Sequence, residues 1–332
     1  QVKSRYDDTS PTYRASIPKL CGECHREDGK AVELTDLKEV DAYADYSSSM
    51  HGRSLREKGL LPTAVCTDCH TTHFVLKESD ERSSVHPKNI PATCASCHKG
   101  IYDEYIKSDH AITRDDHTRK YPTCADCHTA HIISDISNDK FLNEVTHQCG
   151  NCHGELSDTY METYHGKAYT LGYLESAKCS DCHGAHSIYN SGNPLSSVGS
   201  ANIVETCKKC HPDANVRFTG YLTHATHHNK TKYPVLYYTF WGMTSLLIGV
   251  FGFFGIHLLM WLPRSIQGIK QKKQHKKLHQ DTFGSKYHIR RFTRSQRITH
   301  VFIIFSFVLL AITGMMLKFA GMPWAAWLSR IM

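Results

Sequence analysis

The pattern of apolar and polar positions divides the chain near residue 233. Before it, aliphatic runs are scarce and Gly, Ser, Thr and Asp are frequent, so residues 1–232 promise short helices and loops rather than long regular elements. After it, Pro234 to Leu262 runs uncharged for 29 residues, about 44 Å as a helix and enough to cross a bilayer. Ile298 to Leu317 is a second uncharged stretch of 20 residues, about 30 Å on the same rise. A buried helix of a globular domain is the competing explanation, but neither stretch has a polar face. The pattern therefore predicts transmembrane helices over 233–262 and 298–320. A loop at 263–297 joins them, and an interfacial tail follows at 321–332.

Charge sets the orientation of this hairpin. Residues 263–298 hold eleven Lys or Arg against one acid, within a formal net charge of +7 for all 332 residues. With Lys318 and Arg330 also set aside, residues 1–262 sum to about −5. A basic excess confined to one loop argues against a nucleic-acid partner. The positive-inside bias puts that loop in the cytoplasm, with residues 1–232 and the Trp324/Trp327 tail on the periplasmic side of the inner membrane. Tyr237, Tyr238 and Trp241 then fall at the outer interface and Trp261 at the inner one.

The cysteines supply the chemistry. All 14 fall into one pattern, Cys-x-x-Cys-His, repeated seven times: Cys21/Cys24/His25, Cys66/Cys69/His70, Cys94/Cys97/His98, Cys124/Cys127/His128, Cys149/Cys152/His153, Cys179/Cys182/His183 and Cys207/Cys210/His211. Two thiols at that spacing form thioethers to the haem vinyl groups, and the following His is the proximal iron ligand. A zinc half-site or a thioredoxin-like pair would leave the residue after the second Cys free to vary. No cysteine remains to build a disulfide scaffold. Covalent haem attachment takes place outside the cytoplasm, and a chain opening on Gln1 fits removal of a secretory signal. Seven haems in residues 1–232 leave roughly 33 residues each, too few for an ordinary core. The expected fold is a multihaem cytochrome c, mostly short α-helices and loops around stacked haems, followed by two transmembrane helices.

The motifs repeat with a period of about 55 residues, in two interleaved series. Motifs starting at Cys66, Cys124 and Cys179 are each followed, three residues past the motif, by His73, His131 and His186. Motifs starting at Cys94, Cys149 and Cys207 are followed, twelve or thirteen residues on, by His110, His165 and His224. Local text repeats as well: Thr123-Cys-Ala-Asp-Cys-His matches Lys178-Cys-Ser-Asp-Cys-His, and Ser83-Ser-Val-His-Pro-Lys-Asn-Ile matches Ser196-Ser-Val-Gly-Ser-Ala-Asn-Ile. The first motif stands apart, but Ser49-Met-His-Gly-Arg resembles Thr163-Tyr-His-Gly-Lys and nominates His51. His51, His73, His110, His131, His165, His186 and His224 are thus the candidate distal ligands, one for each haem. A His three residues past a proximal ligand cannot reach the other face of its own haem, so it is expected to serve a neighbour. His86, His147, His227 and His228 are the alternates, and the histidine equivalent to His86 is missing at Gly199. His117 lies in a charged run and reads as solvated.

Each apolar stretch carries one histidine, His257 and His300, both toward the cytoplasmic end. An ionisable group at membrane depth points to function. Two imidazoles at similar depth could clamp a b-type haem, or each could simply bond a neighbouring helix. Residues 290–320, from Arg290-Arg-Phe-Thr-Arg-Ser-Gln-Arg-Ile-Thr-His-Val to Leu309-Leu-Ala-Ile-Thr-Gly-Met-Met-Leu-Lys-Phe, resemble the first helix of the di-haem cytochrome b subunits of formate dehydrogenases and nickel–iron hydrogenases. That resemblance implies b-haem ligation by His300 in a four-helix domain beside a quinone site. It further implies a partner membrane subunit that completes the cytochrome b domain, or a continuation beyond Met332, because a single helix of that domain is present. One b haem near the cytoplasmic face would also lie most of an about 30 Å core from periplasmic c haems. Residues 1–232 resemble the multihaem quinol-linked cytochromes of anaerobic respiration through the haem motifs.

These features describe an electron conduit between quinone or quinol in the membrane and a periplasmic cytochrome or other redox protein. It would carry seven haem c and one shared haem b. A multihaem reductase of a small nitrogen or sulfur oxyanion is an alternative, but it needs an open haem and every motif here ends in His. A third reading is an accessory anchor subunit in a larger respiratory complex. A pyridine haemochrome assay of the native protein is expected to return seven c-type haems per chain with a b-type component beside them. Loss of the b component from that spectrum would remove the membrane haem.

Overall fold

The computed structural model describes residues 3–31, 41–111, 121–278 and 292–332; His117 lies outside them. Every regular element among the described residues is helical, and in the haem-motif region most are five to nine residues long. Helices this short are marginal in water by themselves, so each is fixed by what it carries.

The two motif series fold differently. Cys66–His70, Cys124–His128 and Cys179–His183 are single helical turns that begin on the first cysteine. In each, the aspartate before the second cysteine accepts a hydrogen bond from the backbone N–H of the residue preceding the turn: Asp68 from Val65 at 2.7 Å, Asp126 from Thr123 at 2.7 Å and Asp181 from Lys178 at 2.8 Å. A carboxylate there satisfies an orphan donor and suits the positive end of the helix. The residue after the proximal His turns left-handed, at φ 64° in Thr71, 63° in Thr129 and 80° in Gly184. Two threonines in a region that favours glycine are held there against local strain. In the other series the motif lies at the end of a helix, within Ile17–Gly22, Ile90–Ala95, Asp139–Gly150 and Ile203–Lys208 or just beyond it. There the proximal His donates its N–H to the carbonyl of the first cysteine, at 3.0 Å in His25, 2.9 Å in His98 and His153, and 2.8 Å in His211.

The duplicated text folds into duplicated bonds. Ser84 Oγ donates to the Cys69 carbonyl at 2.5 Å and Ser197 Oγ to that of Cys182 at 2.6 Å. Thr93 reaches Ser84 and Thr206 reaches Ser197, both at 2.7 Å. Ser49 and Thr163 each cap a helix by accepting the Gly52 or Gly166 N–H at 3.1 Å, which sets His51 and His165 in the first turn.

The chain divides into two compact units: Gln1–Asp158 with Leu174–Tyr221, and Thr159–Tyr173 with Leu222–Met332. The first holds all seven motifs and has little aliphatic core. Its buried apolar residues include Leu55, Val65, Ala111, Phe141 and Ala214, while Ser10, Ser49, Ser83, Ser108 and Ser196 are at most 2% exposed. Serines at the most buried positions cannot supply the burial a domain of this size needs.

The second unit holds the apolar helices. The first runs Pro234–Leu278, with Pro263 inside it, past the expected end at 262. Proline removes one backbone donor, which a helix can lose there without stopping. The second runs Arg294–Lys318 and starts earlier than expected, because Thr293 and Gln296 cap it reciprocally. The tail forms a helix, Pro323–Ile331, whose Ser329 Oγ donates to the Leu171 carbonyl at 3.1 Å.

Gly52 is where the fold tolerates no side chain: a Cβ would overlap the Tyr46 carbonyl, as one at Gly166 would overlap that of Tyr160. Gly52→Ala is expected to cost about 1–3 kcal/mol, visible as a lower midpoint when thermal unfolding is followed in the haem Soret band.

Candidate functional site

The motif histidines and the leftover histidines meet in pairs. His51 faces His98 with ring centres 6.3 Å apart, His70 faces His131 at 6.1 Å, His110 faces His153 at 6.0 Å and His128 faces His186 at 6.1 Å. The planes lie within 32° of parallel in all four. Direct imidazole stacking would be tighter, as in the 3.9 Å pair His227 and His228. Two metal–nitrogen bonds of about 2 Å, with the half-widths of the two rings, span about 6 Å. Each pair is thus spaced for one iron between its nitrogens.

Each pair joins one proximal histidine to one distal candidate. The distal ring comes neither from the same motif nor from the adjacent one. His51 and His110 reach the second motif ahead, whereas His131 and His186 reach the second motif back. The facing of rings is therefore longer in range than an exchange between adjacent motifs. Adjacent motifs meet at their thiols instead. The Cys21 thiol lies beside that of Cys66, Cys94 beside Cys124, and Cys149 beside Cys179. Cys69 lies beside Cys97, Cys127 beside Cys149 and Cys152, and Cys182 beside Cys207 and Cys210. Consecutive motifs therefore lie near one another at their thiols, and the rings that face the motif histidines come from segments farther along the chain. Those segments are clasped by equivalent bonds: Met50 N–H to the Ile133 carbonyl and Asp109 N–H to the Ile188 carbonyl, both 2.8 Å.

Cys24, like Cys97, Cys127, Cys152 and Cys210, is exposed, and its backbone is fixed by its N–H on the Cys21 carbonyl at 3.1 Å and its carbonyl accepting the Ala31 N–H at 3.0 Å.

Electrostatics suits metal binding. Burial, then the facing imidazole, lowers the pKa of His51, His70, His110 and His128 from the usual histidine value, and burial lowers that of His131. The neutral ring, which has a lone pair to give, is thereby favoured in the fold. With the folded pKa depressed, this contribution is complete above the unfolded value and fades as pH falls through the folded one. Burial also raises Cys69 and Cys182, and pushes Cys127 up to about 11. Paired thiols, a following histidine, a facing imidazole and a unit short of apolar core all fit haem c.

Other candidates are placed as follows. His25 and His73 are exposed, and neither faces another imidazole ring among the described residues. His165 is half-buried behind the Thr163 cap. His224 shares a 3.0 Å hydrogen bond between its Nδ1 and Thr159 Oγ1. His183 is half-buried, and His211 packs its ring 5.0 Å from Phe218. Of the alternates, His86 accepts the Lys88 N–H at 3.2 Å inside its own turn, and His147 is exposed. His257 and His300 are exposed on the two apolar helices, and the structure pairs neither with another ring among the described residues. The three capping aspartates were not singled out from sequence, although Cys-x-Asp-Cys-His recurs three times.

A family model described as cytochrome c3 matches residues 116–212, the stretch holding the motifs that start at Cys124, Cys149, Cys179 and Cys207. No curated protein and no solved structure matches the chain. The matched segment supports covalently bound haem c and multihaem electron transfer. The fold is helical, with a cytochrome c3-like domain followed by two candidate membrane helices.

The pairing is open to a direct check. His110→Ala is expected to turn the haem attached at Cys149 and Cys152 high-spin, adding one axial EPR signal, while His86→Ala leaves the spectrum low-spin.

Proposed function

We propose that the chain carries electrons between quinol in the cytoplasmic membrane and a periplasmic redox partner, through seven c-type haems with two histidine ligands each. The observation that carries this reading is the set of four imidazole pairs at 6.0–6.3 Å. Iron held by two imidazoles is six-coordinate, which suits electron transfer and leaves no position for a substrate. The nearness of consecutive motifs at their thiols supports an ordered path from the first motif to the seventh.

The membrane end rests on the two apolar helices. None of the apolar window of the first is buried within the chain, and 6% of that of the second. Surfaces so apolar need lipid or a partner's helices around them. His257 and His300 lie on those exposed surfaces, which suits a b haem completed by a partner subunit rather than one enclosed by this chain.

In lipid nanodiscs, the haem-loaded protein is expected to show reduction of its c haems by a naphthoquinol within seconds. Reduction by dithionite but by no quinol would overturn the proposed use of quinol.

A further inference from the structure

A second titratable cluster lies among residues that no haem motif uses. Glu162 ends the helix Gly154–Glu162, and His227 and His228 precede the first apolar helix. His228 Nε2 is 3.3 Å from Glu162 Oε1, and His227 Nδ1 is 3.8 Å from Oε2. Thr226 braces the corner, with its hydroxyl 3.5 Å from Glu162 Oε2 and accepting the His228 N–H at 3.2 Å. The His227 ring packs on Phe240, in the second turn of the first apolar helix, at 3.8 Å between centres. Lys318, at the last turn of the second apolar helix, holds its Nζ 5.5 Å over the same Phe240 ring. A carboxylate, two imidazoles, an ammonium and an aromatic face thus gather where one end of each apolar helix meets the polar chain.

We propose that this cluster docks the hydroquinone head group and takes its protons, with Glu162 and His228 as acceptors and Phe240 beside the ring. This rests on the proposed use of quinol. Oxidation of one hydroquinone breaks two O–H bonds, forms two C=O bonds and releases two protons and two electrons. One proton passes to the Glu162 carboxylate and one to the His228 imidazole; the electrons pass to c-type haem. A candidate iron ligand is close at hand along the chain. His224 lies four residues before His228, and Thr159, which holds it, lies one helical turn before Glu162.

A divalent cation is the other occupant these atoms could suggest, and the surroundings disfavour it. Glu162 supplies the one carboxylate among the three donors, and the Lys318 ammonium stands over the Phe240 ring on which His227 packs. Burial, His228, Lys318 and Lys167 act together to lower the His227 pKa, against the opposing pull of Glu162. The Lys318 ammonium over the Phe240 ring works against a further cation at the cluster and favours the anion that forms as a quinol loses its first proton.

The test uses the full haem-loaded chain in nanodiscs and a fluorescent hydroxyquinoline N-oxide as quinol analogue. Wild type is expected to quench it at one saturable site, and Glu162→Gln and His228→Gln each to weaken binding about 10-fold. Naphthoquinol-dependent haem reduction in both variants is expected to slow about 100-fold and to lose its rise with pH. An unchanged dithionite-reduced spectrum reports an intact fold; His228, two-thirds exposed, is the variant least able to disturb it. Wild-type binding and rates in both variants would overturn this site and leave quinol use standing. Absence of analogue binding and of quinol reduction in wild type would overturn both. Saturable Zn²⁺ binding lost in Glu162→Gln, with analogue binding unchanged, would reassign the cluster as a cation site.

Discussion

Two imidazoles facing each other across about 6 Å, brought from distant parts of the chain, are the contact around which the haem-motif unit is arranged. Each of the four pairs closes a loop between a motif and a segment beyond the adjacent motif. An iron–imidazole bond acts at one point and in one direction, unlike apolar burial, so the backbone must deliver each ring to a fixed place. The capping aspartates, the helical turns across each motif, the Ser49 and Thr163 caps and the clasps at Met50 and Asp109 all serve that delivery. The unit accordingly buries serine and threonine where an ordinary domain would bury leucine. Those hydroxyls satisfy carbonyls in turns too tight for regular ladders.

The unit with the apolar helices obeys a different constraint. Its helices bond their own backbones and leave their side chains outward, as lipid surroundings demand. Polar chemistry is confined to their ends. At one of them, Lys318 and Phe240 come together with the segment that carries His227 and His228, while the tail helix is tied to Leu171. The hairpin therefore returns to the side from which it left, the arrangement that the charge of the connecting loop implies. Polar groups at such a boundary meet both a lipid-borne ligand and water that can carry protons away.

Much of the chemistry was legible along the chain. Haem attachment needs two thiols and an imidazole within five residues, so the seven motifs declare themselves without a fold. Duplication left the histidines outside the motifs at recurrent offsets, and four of them, His51, His110, His131 and His186, each face a motif histidine. Long apolar helices depend on local sums of hydropathy, so they too were readable; their ends moved because Thr293 and Gln296 form a cap and Pro263 does not break its helix.

Partnership was decided in three dimensions. Nothing in the order of residues says that His131 faces His70 rather than His98 or His153. The facing rings come from segments one module apart, while consecutive motifs lie near one another at their thiols. Glu162 meets His227 and His228 for the same kind of reason, since contact across a long stretch of chain depends on the path between. The sequence by itself determined the covalent chemistry, the repeat and the apolar stretches, because each is a property of neighbours along the chain. Only the tertiary structure decided which ring faces which, because that is a property of neighbours in space.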